Sequence, residues 1–206
     1  MKMSESKVEI HKYENIHGLE LFPDFISSEI EKLLLENIEK NIVPHTPLND
    51  TNSAMWMKYF GRDVCHFGYI YDYKTRTLAG ATEQIPEWLN CIIEKMISAN
   101  IITATPEQCI INKYLPGQGI ASHTDAAVFG EPIISLSLGS QCTMVFRHNN
   151  HGTRSVILPR RSLLVLRGEA RSQWKHEIPA RLKDDGIPRT TRISVTFRYV
   201  VKKNSN

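Results

Sequence analysis

Apolar residues in the first half of the chain recur twice with the period of an α-helix. Ser28 and Glu31 have the spacing of a capping box, and the run that follows predicts a helix over residues 28–41. Its apolar face comprises Ile30, Leu33, Leu34 and Ile38. A second helix is predicted from Pro86, because proline suits a first helical turn, to about Asn100. Its apolar face comprises Leu89, Ile92, Ile93 and Met96.

Residues 42–85, which lie between these helices, show no sustained period. The segment is rich in proline, asparagine, glycine and aromatic residues, as in the runs 57–61 and 67–71. A long irregular aromatic segment within a compact domain is usually a binding loop or a lid. We therefore expect residues 42–85 to form an irregular lid region.

From about residue 108 the pattern changes to short runs of β-forming residues separated by turn residues. The predicted strands cover residues 109–114, 133–138, 143–147, 155–158, 162–167 and 192–200. Residues 148–152 join two of these runs as a hairpin turn would. Helices followed by at least six short strands predict an α+β domain, with a sandwich or jelly-roll core over residues 108–200.

The predicted strand 192–200 has one polar face, because Arg192, Ser194, Thr196 and Arg198 alternate with apolar residues. In one interpretation this is an ordinary half-exposed strand with its polar face in solvent. In the other, the polar face is turned into the core. A buried guanidinium is costly unless it meets an anion, so inward arginines would then imply a carboxylate ligand. Asn112 and Tyr114 share a face of the strand 109–114 and could bind the same ligand, or could simply be rim residues before a turn.

Composition limits the class of protein. The chain has 206 residues, a net charge of +3 and 41% apolar residues, which excludes disordered, collagen-like and disulfide-scaffold classes and favours a single domain spanning residues 1–206. The four cysteines form no C-x-x-C pair, and we expect them to be buried apolar side chains in a reducing compartment. No membrane span or signal core is present. We expect a monomer in the cytoplasm or nucleus.

The charges are distributed unevenly. Between residues 154 and 198 there are eleven Lys or Arg residues and four Asp or Glu residues, whereas residues 1–153 are acidic overall. A basic surface attracts phosphate groups, although charged loops can also simply keep a β-rich half in solution. Charge alone therefore leaves nucleic-acid binding open.

Two histidines and an aspartate form a candidate metal site. His123 and Asp125 make a His-x-Asp pair just after the strand 109–114, and His176 follows later. Two histidines and one carboxylate are the facial arrangement of non-haem Fe(II) oxygenases, which leaves coordination positions open. We expect His66 to be a packing or substrate residue. His148 and His151 are interpreted as turn residues, because a hairpin tip is exposed and gives poor metal geometry.

The order of these motifs resembles the AlkB family of Fe(II)/2-oxoglutarate dioxygenases. Asn-x-Tyr comes first, His-x-Asp next, then a distant His, and finally Arg with a second Arg six residues later. The similar stretches are residues 68–71, 109–117, 132–139, 168–171 and 192–198. Several independent motifs in the same order make this resemblance specific from about residue 67 to residue 200.

The resemblance implies a site and a fold. His123, Asp125 and His176 would bind iron, and Arg192 would pair with the distal carboxylate of 2-oxoglutarate. The rest of that pocket would consist of Asn112, Tyr114, Ser194 and Arg198. It also implies a double-stranded β-helix core with N-terminal supporting helices and an aromatic lid from residues 59–73. O2 and 2-oxoglutarate would be consumed, succinate formed and a substrate C–H bond hydroxylated, so that an alkyl group on a heteroatom leaves as an aldehyde.

The resemblance also implies a nucleic-acid substrate. Family members that act on nucleic acids extrude a base and stack it on an aromatic lid residue, for which the candidates are Tyr59, Phe60, Tyr69 and Tyr71. Arg171, within the basic segment, could contact phosphates. The leading hypothesis is therefore a stand-alone dioxygenase that removes alkyl groups from nucleobases of DNA or RNA.

One departure from the family pattern keeps alternatives open. Many base-demethylating members carry an acidic residue two positions after the metal aspartate, where this chain has Ala127. The runs 135–140 and 159–165 are most similar to the branch that hydroxylates a tRNA wobble-uridine side chain. That enzyme has flanking RNA-binding and methyltransferase domains, for which we expect no room here. Hydroxylation of a tRNA uridine or of a protein side chain is the second hypothesis, and a non-catalytic nucleic-acid-binding β-domain is the third.

Overall fold

The computed structural model describes residues 9–44, 54–59 and 61–202. Its α-helices in this part of the chain are α1 (Ser28–Asn41), α2 (Asn90–Ser98) and α3 (Gly168–Ser172). Its strands are β1 (His11–Lys12), β2 (Leu19–Phe22), β3 (Val43–Pro44), β4 (Met55–Tyr59), β5 (Arg62–Phe67), β6 (Tyr69–Asp72), β7 (Thr77–Ala81), β8 (Gln108–Tyr114), β9 (Ile120–His123), β10 (Ile133–Leu138), β11 (Cys142–His148), β12 (Gly152–Leu158), β13 (Leu163–Leu166), β14 (Lys175–Ile178), β15 (Lys183–Asp184), β16 (Ile187–Pro188) and β17 (Arg192–Arg198).

Helix α1 has the predicted bounds but a different cap. The Oγ atom of Ser27, not of Ser28, accepts the hydrogen bond from the backbone N–H of Ile30 at 3.3 Å, so the helix is capped one residue earlier than the sequence pattern indicates. Leu34 and Ile38 are buried as expected, whereas Leu33 is 57% exposed. The apolar face is therefore narrower than predicted.

Helix α2 is shorter than predicted. Pro86 precedes a single 3₁₀ turn at Glu87–Leu89, and the α-helix proper begins at Asn90 and ends at Ser98. The tighter opening turn fits proline, which has no N–H to give to the helix. The predicted face, formed by Leu89, Ile92, Ile93 and Met96, is buried as expected.

The strands form two main sheets, which confirms the predicted double-stranded β-helix. The larger has nine strands in the order β1-β2-β13-β10-β17-β8-β5-β4-β3, and the smaller has four in the order β12-β11-β14-β9. All of these pairs are antiparallel except β3 with β4. Strands β11 and β12 make the hairpin expected across residues 148–152. Two separate ribbons, β6-β7 and β15-β16, lie outside the main sheets.

The prediction of an irregular region at residues 42–85 is wrong. In the described part of this segment, β3, β4 and β5 extend the large sheet, and β6 with β7 forms a hairpin. Strand β5 pairs with β8, placing Cys65 opposite Ile111. Buried polar residues such as Arg62 and His66 interrupt its apolar run, so the sequence shows no clear alternation. The short strands β9 and β14 were also missed.

Strand β17 is buried on both faces, so the half-exposed interpretation is wrong. It lies between β10 and β8, with Arg192 opposite Tyr114 and Ser194 opposite Asn112. Its apolar residues Val195 and Phe197 pack in a core cluster with the side chains of α1 and α2. Its polar residues face the interior between the two sheets.

A second core cluster contains residues from strands of both sheets, and it includes Phe146, Leu164 and Trp174. Cys65, Cys109 and Cys142 are buried free thiols as predicted, whereas Cys91 is exposed. In the part of the chain that the structure describes, no helix combines the length and the apolar character needed to cross a membrane.

Candidate active site

The two main sheets enclose a cavity of about 360 Å³, a size typical of small-molecule sites. Strands β8 and β17 line one wall with polar side chains, namely Asn112, Tyr114, Arg192, Ser194, Thr196 and Arg198. The smaller sheet lines the other wall. Arg192 and Ser194 therefore face a cavity, as expected if the polar face of β17 is turned into the core.

The three candidate metal ligands lie together at one end of this cavity. Strands β9 and β14 pair so that His176 is opposite His123, and the two imidazole rings are 4.4 Å apart between centroids. The Nε2 atom of His176 is 3.6 Å from Oδ2 of Asp125. The structure thus brings together three side chains that are up to 53 positions apart in the sequence.

Hydrogen bonds and burial prepare these groups as ligands. The Nδ1 atom of His123 donates to the backbone carbonyl of Ala121 at 2.8 Å, which leaves Nε2 unprotonated and able to bind a metal. Burial lowers the pKa of His176 to about 4, so its ring is neutral. Burial alone would raise the pKa of Asp125, but the charge of Arg198, together with those of the two imidazoles once they are protonated in acid, holds it at about 2. Two neutral imidazoles and a carboxylate fit Fe(II) by their chemistry.

The trio is close, but Asp125 also has a second partner. Its Oδ1 atom accepts a hydrogen bond from Nη2 of Arg198 at 2.6 Å. Among the described residues, no group of three His, Cys, Asp or Glu side chains already has the spacing that holds a metal ion. Arg198, expected to complete the co-substrate pocket, is thus paired with the carboxylate of a candidate ligand.

Arg192 is a buried cation that pairs with no anionic side chain among the described residues. Only 3% of the residue is exposed, and Nη2 donates to the hydroxyl of Ser137 at 2.9 Å. Its Nε and Nη1 atoms are buried and have no hydrogen-bond partner, and none of the described residues offers it a carboxylate. Because an unpaired buried charge is costly, this site fits an anionic ligand such as the distal carboxylate of 2-oxoglutarate.

The other predicted co-substrate residues have identified contacts. Asn112 accepts a hydrogen bond at Oδ1 from Nε of Arg62 at 2.8 Å, and the hydroxyl of Ser194 lies 2.7 Å from that of Ser135. The ring of Tyr114 lies 5.5 Å from the Arg192 guanidinium. Arg62 was missed by sequence reasoning, since only the pairing of β5 with β8 brings it to the cavity.

Tyrosine side chains form part of the cavity wall. The rings of Tyr59 and Tyr73 are 4.2 Å apart, those of Tyr71 and Tyr73 are 4.8 Å apart, and Tyr71 also lies 5.4 Å from Phe129. Tyr59, Tyr71 and Tyr73 all line the cavity, although Tyr73 was not singled out from the sequence.

Of the remaining lid candidates, Tyr69 and Phe60, only Tyr69 belongs to the described residues, and the structure does not place it on the cavity wall. Tyr69 is not among the residues that line the cavity, and its backbone carbonyl accepts a hydrogen bond from Gln108. Phe60 lies outside the described residues. His66 packs under the hairpin, where its Nδ1 atom accepts a hydrogen bond from the backbone N–H of Tyr71 at 3.4 Å.

The prediction that Arg171 contacts phosphates is wrong. The residue is 8% exposed, and its guanidinium donates to the backbone carbonyls of Asp125, Ala126 and Phe129 at 2.8–3.1 Å. A guanidinium buried against these carbonyls is not presented to a nucleic acid. Arg171 instead fixes the loop that follows the candidate metal ligands.

Comparisons with known proteins identify the family of the chain. The model of the 2OG-Fe(II) oxygenase superfamily matches residues 18–198. The chain is 33% identical to an uncharacterized mimivirus protein, L905, over 96% of this chain and 91% of that protein. It is 41% identical to mouse tRNA (carboxymethyluridine(34)-5-O)-methyltransferase ALKBH8 over 81% of this chain, but it spans only 25% of that protein.

A solved structure of OsALKBH1 superimposes with a TM-score of 0.71 and 19% identity, covering 93% of this chain and all of that one, which supports the fold. The family match covers most of the chain, and it includes every candidate metal and co-substrate residue. The chain therefore belongs to the 2OG-Fe(II) oxygenase superfamily and, within it, to the AlkB family, whose dioxygenases use Fe(II), 2-oxoglutarate and O2.

Proposed function

We propose that this protein oxidises an alkyl group on a nucleobase of DNA or RNA and so removes it. The observation that carries the proposal is the buried guanidinium of Arg192, which has no carboxylate partner among the described residues and shares a cavity with His123, Asp125 and His176. Tyrosine rings on the wall of the same cavity offer flat apolar surfaces for a base. Membership of the dioxygenase family argues against the non-catalytic β-domain.

In this proposal each side chain has a defined task. His123, Asp125 and His176 would hold the metal, and Arg192 would hold the distal carboxylate of 2-oxoglutarate. Asn112, Tyr114 and Ser194 would complete the pocket around the co-substrate. When bound, Fe(II) with 2-oxoglutarate and O2 supplies the oxidising chemistry that hydroxylates a C–H bond. Arg198 keeps Asp125 ionised and fixed in position through its hydrogen bond to Oδ1.

A specific observation favours hydroxylation of a uridine side chain as the second candidate. Ala127 is exposed and carries no carboxylate, and Asp125 is the only acidic residue among the described residues that line the cavity. A base amine would find no free acceptor of the kind that reads methylated adenine or cytosine. The similarity to ALKBH8, whose name specifies a carboxymethyluridine in tRNA, points in the same direction.

The first experiment tests the site. Fe(II) and 2-oxoglutarate are added to the protein without oxygen, and a visible charge-transfer band is expected for the wild type. The His123→Ala variant should lose the band, whereas His151→Ala, on the exposed β11-β12 turn, should keep it. A band of equal strength in the His123→Ala variant would contradict the assignment.

The second experiment tests the substrate. Mass spectrometry of a panel of methylated oligonucleotides and modified tRNAs should show loss of a methyl group with formation of succinate. Gain of one oxygen on a uridine side chain would instead identify the second candidate. Succinate formation without any change in nucleic acid would refute both and favour a protein side chain. The monomeric state and the cytoplasmic or nuclear location stay predictions.

A further inference from the structure

The β6-β7 hairpin has a tip ordered by a single carboxylate. Asp72 accepts hydrogen bonds from the backbone N–H groups of Lys74 and Thr75 at 2.8 and 3.3 Å, and from the hydroxyl of Thr75 at 2.8 Å. These bonds define an Asx turn. The same hairpin carries Tyr71 in β6 and Tyr73 in the turn.

Arg76, the last residue of the turn, contacts the chain just after β9. Arg76 has a left-handed backbone with φ of 58°, and its side chain lines the cavity. Its Nη2 atom donates to the backbone carbonyl of Thr124 at 3.3 Å, a contact between residues 48 positions apart. Since Thr124 lies between His123 and Asp125 in the chain, the hairpin tip is placed next to the candidate metal ligands.

The charges around the cavity are unbalanced. Four arginines line it, namely Arg62, Arg76, Arg192 and Arg198. Asp125 is the only carboxylate among the described lining residues, and it is paired with Arg198. A 2-oxoglutarate dianion and a metal dication would cancel each other, so the positive excess would persist after both bind.

Of these four arginines, Arg76 is the best placed to bind an anionic group of a substrate. Arg192 is deep and suits the co-substrate, and Arg62 is buried, with Nε bonded to Asn112 and its guanidinium 5.4 Å from the Tyr73 ring centre. Arg76 is exposed, and among the described residues its only hydrogen bond is the one long contact to a neutral carbonyl. Its guanidinium can therefore donate hydrogen bonds to an oxyanion without breaking an ion pair.

We propose that Arg76 binds an oxyanion of the substrate while the tyrosines of the same hairpin contact its base. The oxyanion is a phosphate adjoining the oxidised nucleoside or a carboxylate on its modified base. This inference rests on the proposed function, because it names what that site recognises beyond the base. Arg76 is thus a specificity-determining residue supplied by the β6-β7 hairpin.

The test compares Arg76→Gln with Lys74→Ala in the metal-free protein. Lys74 is an exposed cation on the same turn and is not among the residues that line the cavity, so its removal controls for general charge. The probes are fluorescein-labelled single-stranded RNAs that carry an unmodified uridine, a carboxymethyluridine or its neutral methyl ester. We expect Arg76→Gln to weaken binding by about tenfold or more, as for loss of a charge-assisted hydrogen bond, and Lys74→Ala to weaken it by less than about twofold.

The pattern across the probes identifies the oxyanion. If it is a phosphate, Arg76→Gln weakens binding of all three RNAs equally and lowers the slope of log affinity against log salt by about 0.7. If it is the base carboxylate, only the carboxymethyluridine RNA is affected. Equal binding by Arg76→Gln and the wild type, equal losses in both variants, or no RNA binding by the wild type would each overturn the inference. Mass spectrometry of the wild-type reaction judges the proposed function separately.

Discussion

The Nη2 atom of Arg198 lies 2.6 Å from Oδ1 of Asp125, which joins the end of β17 to the loop after β9. Both side chains are largely buried, with 13% and 3% of their surfaces exposed. The pair accounts for the low pKa of Asp125 in a position where burial alone would raise it. The large sheet therefore controls the charge of a residue that belongs to the other wall of the cavity.

Removing Arg198 should destabilise the metal-free protein through Asp125. Arg198→Met leaves a buried carboxylate without its guanidinium, which costs about 3 kcal/mol in the free energy of unfolding. Asp125→Asn in the same chain should recover part of that loss, because the neutral amide needs no counter-ion. Urea unfolding of the two single variants and the double variant measures this coupling. Strictly additive losses would mean that the pair is not energetically coupled.

Arg192→Met should stabilise the protein without ligands, in contrast to Arg198→Met. The substitution removes a buried cation whose Nε and Nη1 atoms have no partner, so we expect the melting temperature to rise by about 2–4 °C. Added 2-oxoglutarate should stabilise the wild type but not the variant. Thermal unfolding with and without 2-oxoglutarate checks both effects. An undiminished ligand-induced shift in the variant would remove Arg192 from the co-substrate site.

Arg171 should matter for stability and not for nucleic-acid contacts. Arg171→Ala leaves the carbonyls of Asp125, Ala126 and Phe129 without their donor, which costs about 3 kcal/mol in the free energy of unfolding. The salt dependence of RNA binding by the folded variant should equal that of the wild type. A lower salt slope would restore the phosphate-contact hypothesis. Arg154→Ala, an exposed residue on β12, serves as the stability control.

His66 should make the protein less stable in acid. Burial, with the nearby charges of Arg198 and Arg62, lowers the pKa of His66 to about 4, below its ordinary value of about 6.5. Between these values the unfolded chain binds a proton that the folded chain does not, so stability falls as the pH drops from about 6.5 towards 4. Above pH 6.5 His66 does not contribute to the change of unfolding free energy with pH.

Urea unfolding at several pH values checks this expectation with His66→Gln, which cannot titrate. Below pH 6 the wild type should lose stability relative to the variant, by up to about 1.4 kcal/mol in the free energy of unfolding for each pH unit. A difference that is constant from pH 7 to pH 4.5 would show that His66 is protonated in the folded protein as readily as in the unfolded chain.

The local features of the fold follow from the amino-acid sequence alone. The period of residues 28–41 specifies a helix, and the alternation in residues 192–198 specifies a strand with one polar face, because both depend on neighbouring positions in the chain. The order of the His, Asp, Asn, Tyr and Arg motifs was sufficient to place the chain in its family.

What those features face depends on how the whole chain folds. A strand with one polar face has the same sequence pattern whether that face meets water or a cavity, and the neighbouring strands β8 and β10 settle which. Arg171 had the pattern of an exposed basic residue, yet the loop after Asp125 folds around it. Arg62 and Arg76 reach the cavity through the pairing of β5 with β8 and the placement of the β6-β7 hairpin. Such contacts join residues about 50 positions apart, and no local pattern records them, because their free energy comes from packing that exists only in the folded chain.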